Sequence, residues 1–221
     1  MGLVYLFVLQ LVVLFFLSKV VTREIYLFFY KWTRSRWKTT YLFSILFLVG
    51  TFVHEMSHFI MALILFVPVG QLELIPEYRE DRLKLGSIPV GKTDPIRRFF
   101  IGVAPFIFGV SLILGLLYMI FIYNRELNFL WYLLTGFVIF SVGNTMFSSK
   151  KDLEGMLEFF GLVVFGLIVL AVGGVNLQIY SFIESSGRRF SDFFVQANIF
   201  LTLPILVDLL VIYLLRRRNK S

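Results

Sequence analysis

Apolar residues run along this chain in long unbroken blocks, with the polar residues gathered between them. Six blocks stand out: Leu3 to Leu17, Tyr41 to Val69, Phe99 to Tyr123, Leu127 to Phe147, Met156 to Leu177 and Phe193 to Leu215. About 20 apolar residues let a helix cross a hydrocarbon core with its backbone hydrogen bonds satisfied internally. The blocks predict an all-α membrane protein of about six transmembrane helices, organised as a single polytopic domain over residues 1–221. The first block has no basic residue ahead of it and no small-residue cleavage site behind it, so it is read as a retained anchor. Six alternating crossings would put the loop Gly70 to Arg98, the segment Ser148 to Gly155 and the C-terminus on one side. A slight excess of Lys and Arg there makes that side cytoplasmic.

Two polar intervals refine the picture. The stretch "KVVTREIYLFFYKWTRSRWKTT" mixes basic and aromatic residues, which predicts a segment lying in the headgroup layer with Trp32 and Trp37 at the interface. In "GQLELIPEYREDRLKLGSIPVGKTD", Gln71 to Ile75 and Arg82 to Ile88 alternate polar and apolar residues around "PEYRED". That pattern predicts a short membrane-surface β-hairpin between the second and third spans. Pro68, Pro76 and Pro89 oppose continuation of the preceding helix.

Composition agrees: 58% of residues are hydrophobic and 16% charged, with a mean hydropathy of +0.85, well outside the range of soluble domains. The net charge of +7 is spread over the ends of the blocks with no soluble basic domain, so the lipid bilayer is the expected partner and nucleic acid is not. A multi-pass protein of the cell membrane follows. There is no cysteine, so a metal site would have to use imidazole, carboxylate and water.

The chemistry concentrates in "TFVHEMSHFI". His54 and His58 are the two histidines of the chain, and a spacing of four puts both on one helix face, able to grip one ion. Glu55 stands beside them. H-E-x-x-H is the arrangement in which two imidazoles hold Zn²⁺ and the glutamate accepts a proton from the attacking water. The plainer reading is a buried polar cluster stabilising helix contacts. Three ionisable groups inside an apolar run weigh against it, because each is costly there. Ser57 is read as a helix-packing residue.

HEMSH in a hydrophobic helix, a hairpin after it, "LKLGSIPVGK", a span opening "GVAPFIFG", and Asn144 eight positions before Asp152 together resemble the site-2 protease family of intramembrane zinc metalloproteases. The resemblance covers roughly Leu48 to Gly161, within a protease-like core at about 41–177. It implies one Zn²⁺ per chain held by His54, His58 and Asp152, with Glu55 catalytic and Asn144 hydrogen-bonded to the substrate carbonyl or its oxyanion. Asp152 is also read, more plainly, as an acid in the first turn of a helix capped by Ser148 or Ser149. Ser148 to Lys151 replace the family's usual prolines, and Leu153 follows the aspartate where the family pattern has glycine. Glu77 and Asp208 are rival carboxylates for the third position.

Two functions are therefore weighed. One is an intramembrane zinc metalloendopeptidase that cleaves transmembrane segments of a membrane-protein substrate. The other is a non-catalytic metal-binding membrane protein, either a transporter or an inactive protease relative. The span Phe99 to Tyr123 carries no ionisable side chain except Tyr118 and Tyr123, which favours the protease over a transporter.

Overall fold

The computed structural model describes residues 2–70, 77–79, 82–84, 89–91, 93–123, 128–147 and 187–220. Six helices make up nearly all of it: α1 (Gly2–Thr33), α2 (Arg36–Leu46), α3 (Leu48–Ile64), α4 (Pro95–Tyr123), α5 (Phe129–Thr145) and α6 (Gly187–Lys220). Among the described residues three helices are long and apolar enough to cross a membrane, and a fourth span is counted if α2 and α3 are taken as one broken span. This is compatible with a multi-pass membrane protein. The expected span Met156 to Leu177 lies outside the described residues.

Several expectations need correcting. The first span does not end at Leu17, and the basic aromatic segment from Lys19 does not leave it to lie flat. It continues α1 to Thr33, where Arg34, at φ 49°, and Ser35 reverse the chain into α2. Lys19 finds a carbonyl partner in Phe147, just past the end of α5. The block Tyr41 to Val69 is likewise not one straight span. It breaks at Phe47 and its two helices bend by 69°.

Six alternating crossings would leave the first and last helices antiparallel. Instead α1 and α6 run parallel, since their contacts rise in the same order along both. Phe7 packs on Phe194, Gln10 Nε2 donates to the Asn198 carbonyl at 3.0 Å, and Arg216 Nε donates to Glu24 Oε1 at 3.1 Å. The parity argument for loop sides therefore fails. The turn at Arg34 and the C-terminal arginines sit at the same end of the bundle.

Helices gain little by burying apolar surface from lipid, so close approach and interhelical hydrogen bonds hold such bundles together. Gly50 of α3 lies directly on α5, where a Cβ would overlap the Ser141 carbonyl and the Thr145 hydroxyl. Gly109 of α4 plays the same part against Met146, whose Cβ would lie 2.9 Å from an added methyl. Leu14, Ile113, Leu117, Val142 and Leu201 fill the core that α1, α4, α5 and α6 share. Asn198 Nδ2 reaches across to the Leu3 carbonyl at 2.9 Å.

Between α3 and α4 the strands β1 (Glu77–Arg79) and β2 (Arg82–Lys84) pair antiparallel, Tyr78 opposite Leu83. Strand β1 occupies residues expected to form the turn, and Gln71 to Ile75 lie outside the described residues. An isolated bridge joins Val69 to Val90. Helix α4 starts by a familiar rule: Asp94 Oδ1 accepts from the Arg97 backbone N–H at 3.0 Å, and Pro95 takes the first helical position.

Candidate metal centre

The buried positions of α3 are Gly50, Thr51, His54, Glu55, Ser57, His58 and Ala62, a 3.6-residue stripe that turns the polar groups inward. Phe52, Leu63 and Ile64 face outward. His54 is 5% exposed, and Glu55 and His58 are each 9%. Ser57 Oγ bonds back to the Val53 carbonyl at 2.6 Å, which leaves it a packing residue as the sequence suggests.

The two imidazoles converge. His54 Nε2 and His58 Nε2 stand 3.3 Å apart, with the rings at 83° to each other. His58 Nδ1 is 2.7 Å from the Ile101 carbonyl. A carbonyl only accepts, so Nδ1 carries the hydrogen and His58 Nε2 presents its lone pair toward His54. In this arrangement His54 Nε2–H donates to it.

The spacing of these two nitrogens fits a shared zinc ion. Two nitrogens at about 2.0–2.1 Å from one tetrahedral ion lie about 3.3–3.4 Å apart, the separation the pair already has. Fixing a ligand histidine through its other nitrogen is the usual way such rings are oriented.

Why the Ile101 carbonyl is available follows from the sequence of α4. Pro105 lies inside that helix and has no N–H, so the carbonyl four residues earlier loses its helical donor. That carbonyl belongs to Ile101. The break at Phe47 similarly strands the first N–H groups of α3. One of them, from Gly50, donates to Ser141 Oγ of α5 at 2.9 Å, so a side chain from another helix caps the helix that carries the histidines.

Asn144, near the end of α5, is 5% exposed. Its Nδ2 donates to Asp208 Oδ1 at 2.9 Å and to the Phe140 carbonyl at 3.0 Å, which uses both amide hydrogens. Its Oδ1 is buried with no hydrogen-bond partner among the described residues. Gly136, Phe140, Gly143, Pro204 and Val207 enclose the pair around a cavity of about 40 Å³, room for about one water. Asp208 is thus a partner of Asn144. Just beyond, Lys19 Nζ donates to the Phe147 carbonyl at 2.7 Å, a cation at a helix C-terminus where the dipole favours it.

Asp152 lies outside the described residues, and Glu77 is on β1. Among the described residues no group of three or more His, Asp or Glu is arranged to hold a metal ion. Sequence reasoning missed Ile101, Ser141 and Lys19. Of these only Ile101 left a signal, the proline four positions on. Comparison with protein-family models, curated proteins and solved structures finds no match to this chain.

Proposed function

We propose that this chain is an intramembrane zinc metalloendopeptidase that cleaves transmembrane segments of membrane proteins, a divergent relative of the site-2 proteases. The observation that carries the reading is the convergence of His54 Nε2 and His58 Nε2 at 3.3 Å on the inward face of an apolar helix, with Glu55 buried beside them. His54, His58 and Asp152 would hold the ion. When bound, zinc supplies a Lewis acid that polarises the scissile carbonyl and activates a water.

The chain's own groups do the rest. The Ile101 carbonyl keeps His58 in the tautomer that offers Nε2. Glu55 accepts the proton of the attacking water and returns it to the departing amine nitrogen. Asn144 steadies the charge on the carbonyl oxygen, which requires its bond to Asp208 to open as substrate arrives. A helical substrate hides its carbonyls and must unwind, and the β1–β2 hairpin, placed at the membrane surface in this reading, offers an edge to receive it as an added strand. The span Met156 to Leu177 and a location in the cell membrane belong to the same reading.

Mass spectrometry of membrane substrates with the wild type and with Glu55→Gln tests it. The variant keeps both histidines and so keeps zinc, but an amide cannot take the proton. Loss of cleavage with zinc retained is the expected result. Equal cleavage by both proteins rules the protease out and leaves a non-catalytic metal-binding protein.

A further inference from the structure

A cleft of about 430 Å³ opens where α1 turns into α2, lined by Trp32, Thr33, Trp37, Lys38, Tyr41 and Leu42. Its form is fixed from beneath. Thr33 Oγ1 and Thr39 Oγ1 share a hydrogen bond at 2.7 Å, Thr39 Oγ1 also donates to the Ser35 carbonyl at 2.8 Å, and Arg34 takes the left-handed conformation that closes the turn. Along one side the rings of Trp37 and Tyr41 lie parallel, 2° apart in tilt with centroids 5.7 Å apart, a flat apolar wall. Trp32 and Trp37 are 74% and 72% exposed, as amphipathic rings at a membrane interface are.

The chain at the cleft is basic in sequence. Lys31, Arg34, Arg36 and Lys38 fall within eight positions that contain no acid. The parallel packing of α1 and α6 adds a second source. Arg216 bonds Glu24 and Arg218 lies over the Phe28 ring at 5.7 Å, so the C-terminal arginines share this end of the bundle. The candidate span in α1 ends at Thr33, and the cleft is taken to lie where hydrocarbon gives way to headgroups.

The geometry points to a binding site for one anionic glycerophospholipid, its phosphate against Lys38 and Arg34 and an acyl chain along the Trp37–Tyr41 wall. A free phosphate ester would leave the aromatic wall uncovered. A zwitterionic lipid would bring a choline cation up to Lys38, whereas an anionic headgroup gains about fivefold in binding for each cation near it.

The chain's three tryptophans are Trp32, Trp37 and Trp131, so the full-length protein carrying Trp131→Phe reports from the cleft alone. It is reconstituted in vesicles in which either phosphatidylglycerol or phosphatidylcholine carries brominated acyl chains, and quenching is followed against the brominated fraction. Brominated phosphatidylglycerol should reach half-maximal quenching at a mole fraction at least fivefold lower than brominated phosphatidylcholine. Arg34→Asn with Lys38→Gln should erase the difference, Asn being a residue that tolerates positive φ. Tyr41→Leu, which keeps both fluorophores and all the charges, should weaken quenching by the anionic lipid. Equal quenching by the two lipids, or a preference that survives the double variant with unchanged circular dichroism, would overturn the site. Competition by millimolar glycerol 3-phosphate would overturn the lipid assignment in favour of a free phosphate ester.

Discussion

The Nδ1 of His58 donates to the carbonyl of Ile101 at 2.7 Å, a bond made available because Pro105 cannot occupy that carbonyl. Replacing Pro105 by Ala restores an N–H that competes for the same oxygen. The expected outcome is about tenfold weaker zinc binding, the low end of what loss of such an orienting partner costs, read by competition with a chromophoric chelator. Zinc affinity equal to the wild type would remove Ile101 from the site.

Gly50 and Ser141 make a second such relationship across α3 and α5. Gly50→Ala drives a methyl into backbone, which cannot step aside, and should destabilise the protein by about 1–3 kcal/mol. Ser141→Ala keeps the shape and deletes the cap, so about 1 kcal/mol is expected. Unfolding of the two variants in mixed micelles measures both. If Ser141→Ala cost as much as Gly50→Ala, hydrogen bonding would dominate that contact and close packing would not.

How much of this was legible in the sequence depends on the range of the interaction. Helix identity and the inward stripe of α3 could be read because a 3.6-residue period is local, and HEMSH could be read because its two histidines lie on one helix. The bend at Phe47 could not: no proline or glycine stands at Phe47 itself, and the N–H of Gly50 that the break exposes is satisfied by Ser141, 91 positions on from Gly50. The parallel pairing of α1 and α6 was hidden for the same reason. Gln10, Asn198, Glu24 and Arg216 read individually as polar interruptions, and only their mutual contacts give the direction.

That parallel pairing is open to a direct test, since the chain contains no cysteine and an introduced pair reports alone. Cysteines at Glu24 and Arg216, whose side chains meet at 3.1 Å, should join through a short bifunctional reagent in membranes. A pair at Phe7 and Arg216 should not. Linking of the second pair in place of the first would restore the antiparallel arrangement that six alternating crossings require.

Asp94 gives a dependence on pH. The Arg97 backbone N–H bonded to its carboxylate, with the Arg97 guanidinium at 3.2 Å, holds its pKa below the ordinary carboxylate value. A folded-state pKa below the unfolded one means that the stabilisation is present above the unfolded value and fades as pH falls through the folded one. Thermal unfolding followed from neutral pH into the acid range should therefore show part of the acid-side decline vanish in Asp94→Ala. An unchanged profile would show that the cap does not contribute to it.

In the proposed zinc site two carboxylates, Asp208 and Asp152, compete for the third position. Asp208 Oδ1 accepts the Asn144 amide at 2.9 Å in a buried pocket between α5 and α6, so its first role is to hold those helices together. Asp208→Asn retains an oxygen acceptor and should leave zinc content unchanged, while Asp208→Ala leaves the amide without a partner and should cost about 1–3 kcal/mol in stability. Asp152 follows the end of α5, where Lys19 ties down the Phe147 carbonyl. A hydrolytic zinc site uses three protein ligands and keeps one position open, so Asp152→Asn should lower zinc occupancy as far as His54→Ala does, with folding intact. Metal analysis of the four purified proteins decides the matter. Zinc lost in Asp208→Asn and kept in Asp152→Asn would move the third ligand to α6 and leave the histidine pair as it is.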